Sequence, residues 1–231
     1  MGIKERQERD REAVSRAILD AARDLFVSEG YGNVSIRKIA ERIEYSPAAL
    51  YGYFPSKDDI FYALAEEGFR LLCARDSVAG FDAGFDKLEP LDRVRRIIWR
   101  LYEFSRQHPQ YFELMFMDRS VPRISHVYER FALAREMKAQ LVAEIQACID
   151  AKIFPEHVNA QVAFRLLTMG LMGAAIMRLS DRLGHGENAD ALARDVLNVT
   201  LRGLQSGIAL ESTSVDIDCV PDDVVADEKV S

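Results

Sequence analysis

Within residues 33–58, NVSIRKIAERIEYSPAALYGYFPSKD, two helix starts stand so close together that few folds accommodate both. Ser35 offers a hydroxyl that can accept from a free backbone N–H of a first turn. Ile36, Ile39, Ala40 and Ile43 then recur at spacing three and four, giving one face that must be buried. Only Glu44 and Tyr45 separate that face from Ser46-Pro47, where Ser caps a second helix and Pro is pre-set for its first position. Helices joined by so short a link cross steeply, which is the geometry of a helix-turn-helix.

The second helix, Pro47-Ala48-Ala49-Leu50-Tyr51-Gly52-Tyr53, is short, nearly uncharged and small at its leading edge, so its N-terminus can approach base edges in a DNA major groove. Leu50 and Phe54 are its expected anchors in the core. Tyr51, Tyr53 and Lys57 suit phosphate contacts, which fix register rather than read sequence, and Arg37 can reach a guanine edge or a phosphate. Ser56-Lys57-Asp58-Asp59 is a further capped helix start.

Ser35-Ile-Arg-Lys-Ile-Ala40, Ser46-Pro-Ala-Ala-Leu-Tyr51 and Tyr53-Phe54-Pro-Ser-Lys57-Asp58, preceded by Ile18-Leu-Asp-Ala-Ala-Arg-Asp-Leu-Phe26 and Gly30-Tyr31, closely resemble the DNA-binding domain of TetR-type transcriptional repressors over residues 12–66. The resemblance implies an N-terminal DNA-binding domain and a C-terminal helical domain that holds a small molecule. It assigns Ser35, Arg37, Ser46, Pro47, Ala48, Ala49, Tyr51, Tyr53 and Lys57 to the DNA face. One departure stands out: the family usually has Gly in the turn, where this chain has Glu44. A left-handed Glu there carries roughly 1 kcal/mol of strain, unless the turn is built differently.

A net charge of −7 argues against a DNA partner until its distribution is read. Residues 211–231 carry seven acids against Lys229 alone, so the remainder of the chain is close to neutral. Within residues 31–57, Arg37, Lys38, Arg42 and Lys57 outweigh Glu41 and Glu44, a modest patch that calls for a dimer to add phosphate contacts. The acidic tail, with Pro221 and little aromatic content, reads as disordered. Cys73, Cys148 and Cys219 are too few and too far apart for a disulfide framework or a paired-Cys zinc site. No apolar run approaches ~20 residues and the first twelve residues hold no apolar signal core, so no membrane partner is expected and the cytoplasm is the expected location.

The remaining periodicity is helical throughout. Residues 1–11 read as a solvated extension or an early helix turn. Lys4, Arg6, Arg9 and Arg11 also fit an arm following a minor groove. Val14, Ala17, Ile18, Ala21, Ala22, Leu25 and Phe26 give an amphipathic helix ending at Gly30, and Ile60, Phe61, Leu64, Ala65, Gly68, Phe69 and Leu72 give a connector into a second domain. Residues 76–90 read as a loop. Helices follow at Leu91–Tyr102, Gln110–Met117, from Pro122 through Cys148, at Gln161–Arg182 and at Ala189–Leu210, with no strand required.

The expected fold is therefore all-α, with a DNA-binding domain over 1–57, a ligand-binding and dimerisation domain over 58–210 and a tail over 211–231. Trp99, Tyr102, Tyr111, Phe112, Met115, Phe116, Tyr128, Phe131 and Met169 are the candidate pocket lining, although aromatics at helical spacing also make ordinary core. Leu91–Met117, with His108-Pro109, resembles the effector domain of one TetR subgroup. Gly170, Gly173, Ala174, Met177, Leu197 and Leu201 are the candidate dimer face. His108, His126, His157 and His185 share no helical face, and no nucleophile, phosphate-loop or metal motif is present, so no enzyme activity, cofactor or metal is expected. These features point to a ligand-responsive regulator, most simply a homodimeric repressor released from a palindromic DNA operator by a small, largely apolar effector. An activator, or a ligand-binding module without DNA function, are the alternatives.

Overall fold

The computed structural model describes residues 2–73, 84–122 and 131–212. These residues form an all-helical chain: α1 Ile3–Glu29, α2 Ile36–Arg42, α3 Pro47–Tyr51, α4 Lys57–Cys73, α5 Pro90–Gln107, α6 Pro109–Phe116, α7 Ala132–Asp150, α8 Ala160–Leu179 and α9 Ala189–Ser206. Helices α1–α4 build a small N-terminal unit. Helices α5, α7, α8 and α9 pack side by side, and α6 lies against both α1 and α4.

Caps explain where the helices begin. Ser35, Ser46, Asn159 and Asn188 each accept a hydrogen bond from a first-turn N–H of α2, α3, α8 and α9. Helix α9 stops at Gly207 in the left-handed region. Helix α1 starts further upstream than its apolar stripe suggests. Residues 4–13 are exposed, and continuous helix there follows from good helix formers and from Glu5, which accepts the Gly2 N–H at 2.9 Å. Of the two readings of residues 1–11 as a solvated extension or an early helix turn, the helical one fits, since α1 begins at Ile3. Near its base, Arg11 donates to the Gly52 carbonyl at 3.1 Å and sits 5.3 Å from the Tyr53 ring centre.

Helix α4 joins the two units. Its Ile60, Phe61 and Leu64 are fully buried, and Phe61 meets Tyr31 edge-on in the N-terminal unit. Phe69 at the other end packs on Phe131, so one continuous core runs through both units. The connector is fixed at each terminus. Lys57 donates to the carbonyls of Tyr31 and Val34, and the buried Arg100 of α5 donates to the Leu72 carbonyl at 2.7 Å.

Several expectations fall outside the described residues: Tyr128, His126, Cys219, the start of the helix expected from Pro122, most of the loop over 76–90 and nearly all of the acidic tail. The part of that loop that is described, 84–89, contains a short 3-10 turn, Phe85–Lys87. Helix α8 is long and apolar enough by composition to cross a membrane. Here it packs one side against α5, α7 and α9.

Candidate nucleic-acid interface

The two capped helices sit as their sequence dictates. Ser35 Oγ accepts from Lys38 N and Ser46 Oγ from Ala49 N, each at 3.2 Å. Ile39, Ala40 and Leu50 lie fully inside, while Ile36, Ile43 and Phe54 pack partly buried against the same core. The outer surface then carries Pro47, Ala48 and Tyr51, the last 55% exposed. Arg37 is also out in solvent, tethered to Glu41 at 2.9 Å. An exposed i,i+4 pair of this kind is worth a few tenths of a kcal/mol and yields readily to a phosphate. The turn between the helices keeps a left-handed residue: Glu44 has φ 58°.

Lys57 is placed differently from its expected role. Its ammonium is directed inward, 2.9 Å from the Tyr31 carbonyl, 3.0 Å from that of Val34 and 4.1 Å from the Tyr31 ring centre. It therefore locks the segment that leads into α2, and Arg11, beside Tyr53, is a basic group at the interface that the pattern reading assigned to an arm. The Tyr31 hydroxyl donates to Asp58, and burial together with that carboxylate pushes the phenol's pKa up.

The same segment is gripped from the second unit. Asp118, just beyond α6, accepts the Tyr31 N–H at 2.8 Å, and Ser120 Oγ accepts the Gly32 N–H at 2.9 Å. Burial alone would raise the Asp118 pKa. Hydrogen bonds from Ser120 and from the Tyr31 N–H, with the charge of Lys57, outweigh it and hold the carboxyl below its ordinary value. No sequence pattern marks this joint, because its partners lie 87 and 88 residues apart. Gly68 of α4 completes it: a Cβ there would collide with Met115 Sδ and come within 3.3 Å of Tyr111.

The expected pocket residues separate. Tyr102, Tyr111, Phe112, Met115 and Phe131 are buried core, and Phe116 packs at a tilt against Phe112 with ring centres 5.1 Å apart. Met169 is 67% exposed on the outside of α8, which corrects its placement in a pocket. Among the described members of this set, Trp99 alone lines an open groove of about 480 Å³ between α5 and α9, together with Asp92, Arg95, Arg96, Glu103, Arg194 and Asn198. Those polar partners were missed because they come from helices about a hundred residues apart.

The expected dimer face also divides. Leu197 and Leu201 point into their own core, and Gly170 admits Val196 of α9, whose Cγ1 would lie 2.8 Å from an added Cβ. These three serve packing within the chain, a correction that follows from helical phase. Ala174 is half-buried, whereas Gly173 opens to free space and Met177 is 40% exposed. With Met169 and Val199 they leave an apolar strip on the outside of α8 and α9.

Burial pushes the thiols of Cys73 and Cys148 up, the latter to about 12, which favours the protonated form of both. Among the described residues no group of three His, Cys, Asp or Glu side chains could hold a metal.

A capped helix-turn-helix braced by α1 is joined through α4 to a helical second unit, the arrangement of a DNA-binding fold with a companion helical domain. Comparison with known families agrees over both parts. Residues 18–64 match the bacterial regulatory proteins of the tetR family, and residues 74–200 match the tetracyclin repressor-like C-terminal domain. The chain belongs to the tetR family. It is 29% identical over 140 residues to the HTH-type transcriptional regulator RutR of Escherichia coli, covering 61% of this chain and 58% of that one. It is 37% identical over 65 residues to the HTH-type transcriptional repressor Rv1474c of Mycobacterium tuberculosis, 28% of this chain and 35% of that protein. The chain thus spans less than two-thirds of the length of these relatives. Among solved structures, the TetR family regulator PfmR from Thermus thermophilus superposes with a TM-score of 0.61 at 23% identity, over 84% of this chain and 99% of that one.

Proposed function

We propose that this chain is a cytoplasmic, homodimeric repressor that binds a palindromic DNA operator and leaves it when a small molecule occupies the second domain. The observation that carries the reading is the exposed leading edge of α3, Pro47, Ala48 and Tyr51, presented by a capped turn with Arg37 and Arg11 at its flanks. In the complex, Ala48 and Ala49 face bases and Arg37 reaches a base edge or phosphate. Ser46, Tyr51, Tyr53 and Arg11 hold the backbone. With so few cations per subunit, affinity rests on two half-sites about one helical turn apart, which a second copy supplies. The apolar strip formed by Met169, Gly173, Met177 and Val199 supports that second copy. Residues 1–57 act as the reading domain and 58–210 as the sensing and pairing domain.

The test is anisotropy of labelled DNA from upstream of the chain's own gene, and from a genome-wide selection, across a salt series. The comparison is the Arg37→Ala/Tyr51→Ala pair, because Lys57 holds the fold. Tight, salt-sensitive binding lost in the pair supports the reading. No sequence-specific binding from either DNA source defeats it.

A further inference from the structure

The groove between α5 and α9 is a built recognition surface that the buried aromatic core does not share. The two helices meet in a ladder. Arg95 donates to Asn198, Trp99 faces Arg194, and Tyr102 and Arg106 both engage Asp190, at 3.0 and 3.1 Å. At the middle rung the Arg194 guanidinium lies 5.4 Å from the Trp99 ring centre and forms no salt bridge among the described residues. The rest of its guanidinium faces solvent, Arg95 gives one of its donors to a neutral amide oxygen, and Asp92 is an acidic side chain in the lining. Further along α5, Glu103 lines the groove with its Oε2 out of solvent and without a hydrogen-bond partner. Arg95 and Glu103 are separated by about 12 Å of helix, at 1.5 Å per residue.

We propose that this groove binds a small aromatic carboxylate that carries a hydrogen-bond donor at its far end. The carboxylate pairs with Arg194 and Arg95, whose forked donors match two oxygens. The ring takes the place on Trp99 that Arg194 vacates as it turns to the carboxylate, and the distal donor meets the Glu103 carboxylate once Oε2 rotates out of its buried position. An uncharged apolar molecule would cover the exposed Arg194 guanidinium without pairing it, at a desolvation cost. The assignment names the ligand class for the sensing domain and rests on the repressor reading only for its effect on DNA.

Trp99 is the sole tryptophan, so its emission reads the groove directly. The experiment titrates the full chain with 3-(4-hydroxyphenyl)propionate, exciting at the red edge of the indole band, beside 3-phenylpropionate and tyramine. The expected result is saturable quenching by the phenolic acid. Binding should be weaker for the acid without the hydroxyl and absent for the amine. Arg194→Ala should weaken the phenolic acid at least about tenfold, the scale of one charge-assisted hydrogen bond. Arg202→Ala makes the same charge change on an exposed side of α9 and should leave binding unaltered. Absence of saturable quenching, or equal quenching in Arg194→Ala, overturns the proposal. The same titration on the operator complex separates the two readings: quenching without any operator binding leaves the groove standing and removes the repressor.

Discussion

Replacing Glu44 by Gly is expected to stabilise the protein. Glu44 sits at φ 58° in the turn between α2 and α3, with its side chain exposed. A left-handed backbone costs a residue with a Cβ roughly 1 to 2 kcal/mol. Glycine removes that strain but adds freedom to the unfolded chain worth about 0.5 to 1 kcal/mol. The net gain therefore lies between about 0 and 1.5 kcal/mol, with its centre at about 0.75, which for a chain of this length raises the melting temperature by about 2 to 3 °C at the centre and about 6 °C at most. Glu44→Ala supplies the control, because it deletes the same carboxylate while keeping the strained backbone. Thermal melts by circular dichroism at one fixed protein concentration compare the three, since the proposed pairing would make the midpoint concentration-dependent. If Ala gains as much as Gly, strain is not what Glu44 contributes and the argument fails. Both variants lose one negative charge beside α3, so both should tighten DNA binding at low salt, and only Gly should raise the melt.

Asp118→Ala should destabilise by about 1 kcal/mol, because the Tyr31 N–H loses its acceptor in a half-buried joint. The Asp118 pKa is depressed on folding, so this contribution is present above the unfolded carboxyl's value near 4 and disappears as pH falls through the folded one. Denaturant titrations of wild type and variant should accordingly converge at acid pH. Gly68→Ala should cost about 1 kcal/mol, moderated by the flexibility of Met115, and pairing it with Met115→Ala should recover part of that in a double-mutant cycle. Met169→Glu with Met177→Glu should leave the subunit's own fold intact, since both side chains are exposed, and shift sedimentation toward monomer; an unchanged dimer would place the pairing face elsewhere.

Features written by neighbours in sequence were legible. A cap and the N–H it satisfies lie three residues apart, so Ser35 and Ser46-Pro47 announced α2 and α3 without reference to the rest of the chain. Glu44 was legible for the same reason: one position in one turn demanded a left-handed residue. What failed required knowing which way a helix turns. On α9, Leu197 and Leu201 look as suited to a partner as Val199, and only the position of α5 and α8 decides that the first two face inward. Large aromatics have the same ambiguity, since Tyr102 and Trp99 lie three residues apart on α5 yet one fills the core and the other floors a groove. Lys57 was misplaced because its spacing fits a phosphate as well as it fits two carbonyls. Tertiary contact made the choice.

The placement of Lys57 changes how the second domain can act on the first. Helix α4 is fastened at its N-terminus by Lys57 to the segment that leads into α2, and at its C-terminus by Arg100 of α5 to the Leu72 carbonyl. Between these points Gly68 lets α6 approach α4 closely, with Met115 and Tyr111 packed where a Cβ would stand. Asp118 and Ser120, at the end of α6, then grip Tyr31 and Gly32 from the other side. The start of α2 is thus held by two routes, one along α4 and one along α6, and both originate in helices that contact α5. Arg100 stands next to Trp99 on α5, so a ligand that shifts α5 at the groove displaces the far anchor of α4 directly. A regulator built this way needs no refolding of α2 and α3 to leave DNA. Reorienting the capped pair as a rigid unit is sufficient, because two half-sites are read only at one spacing.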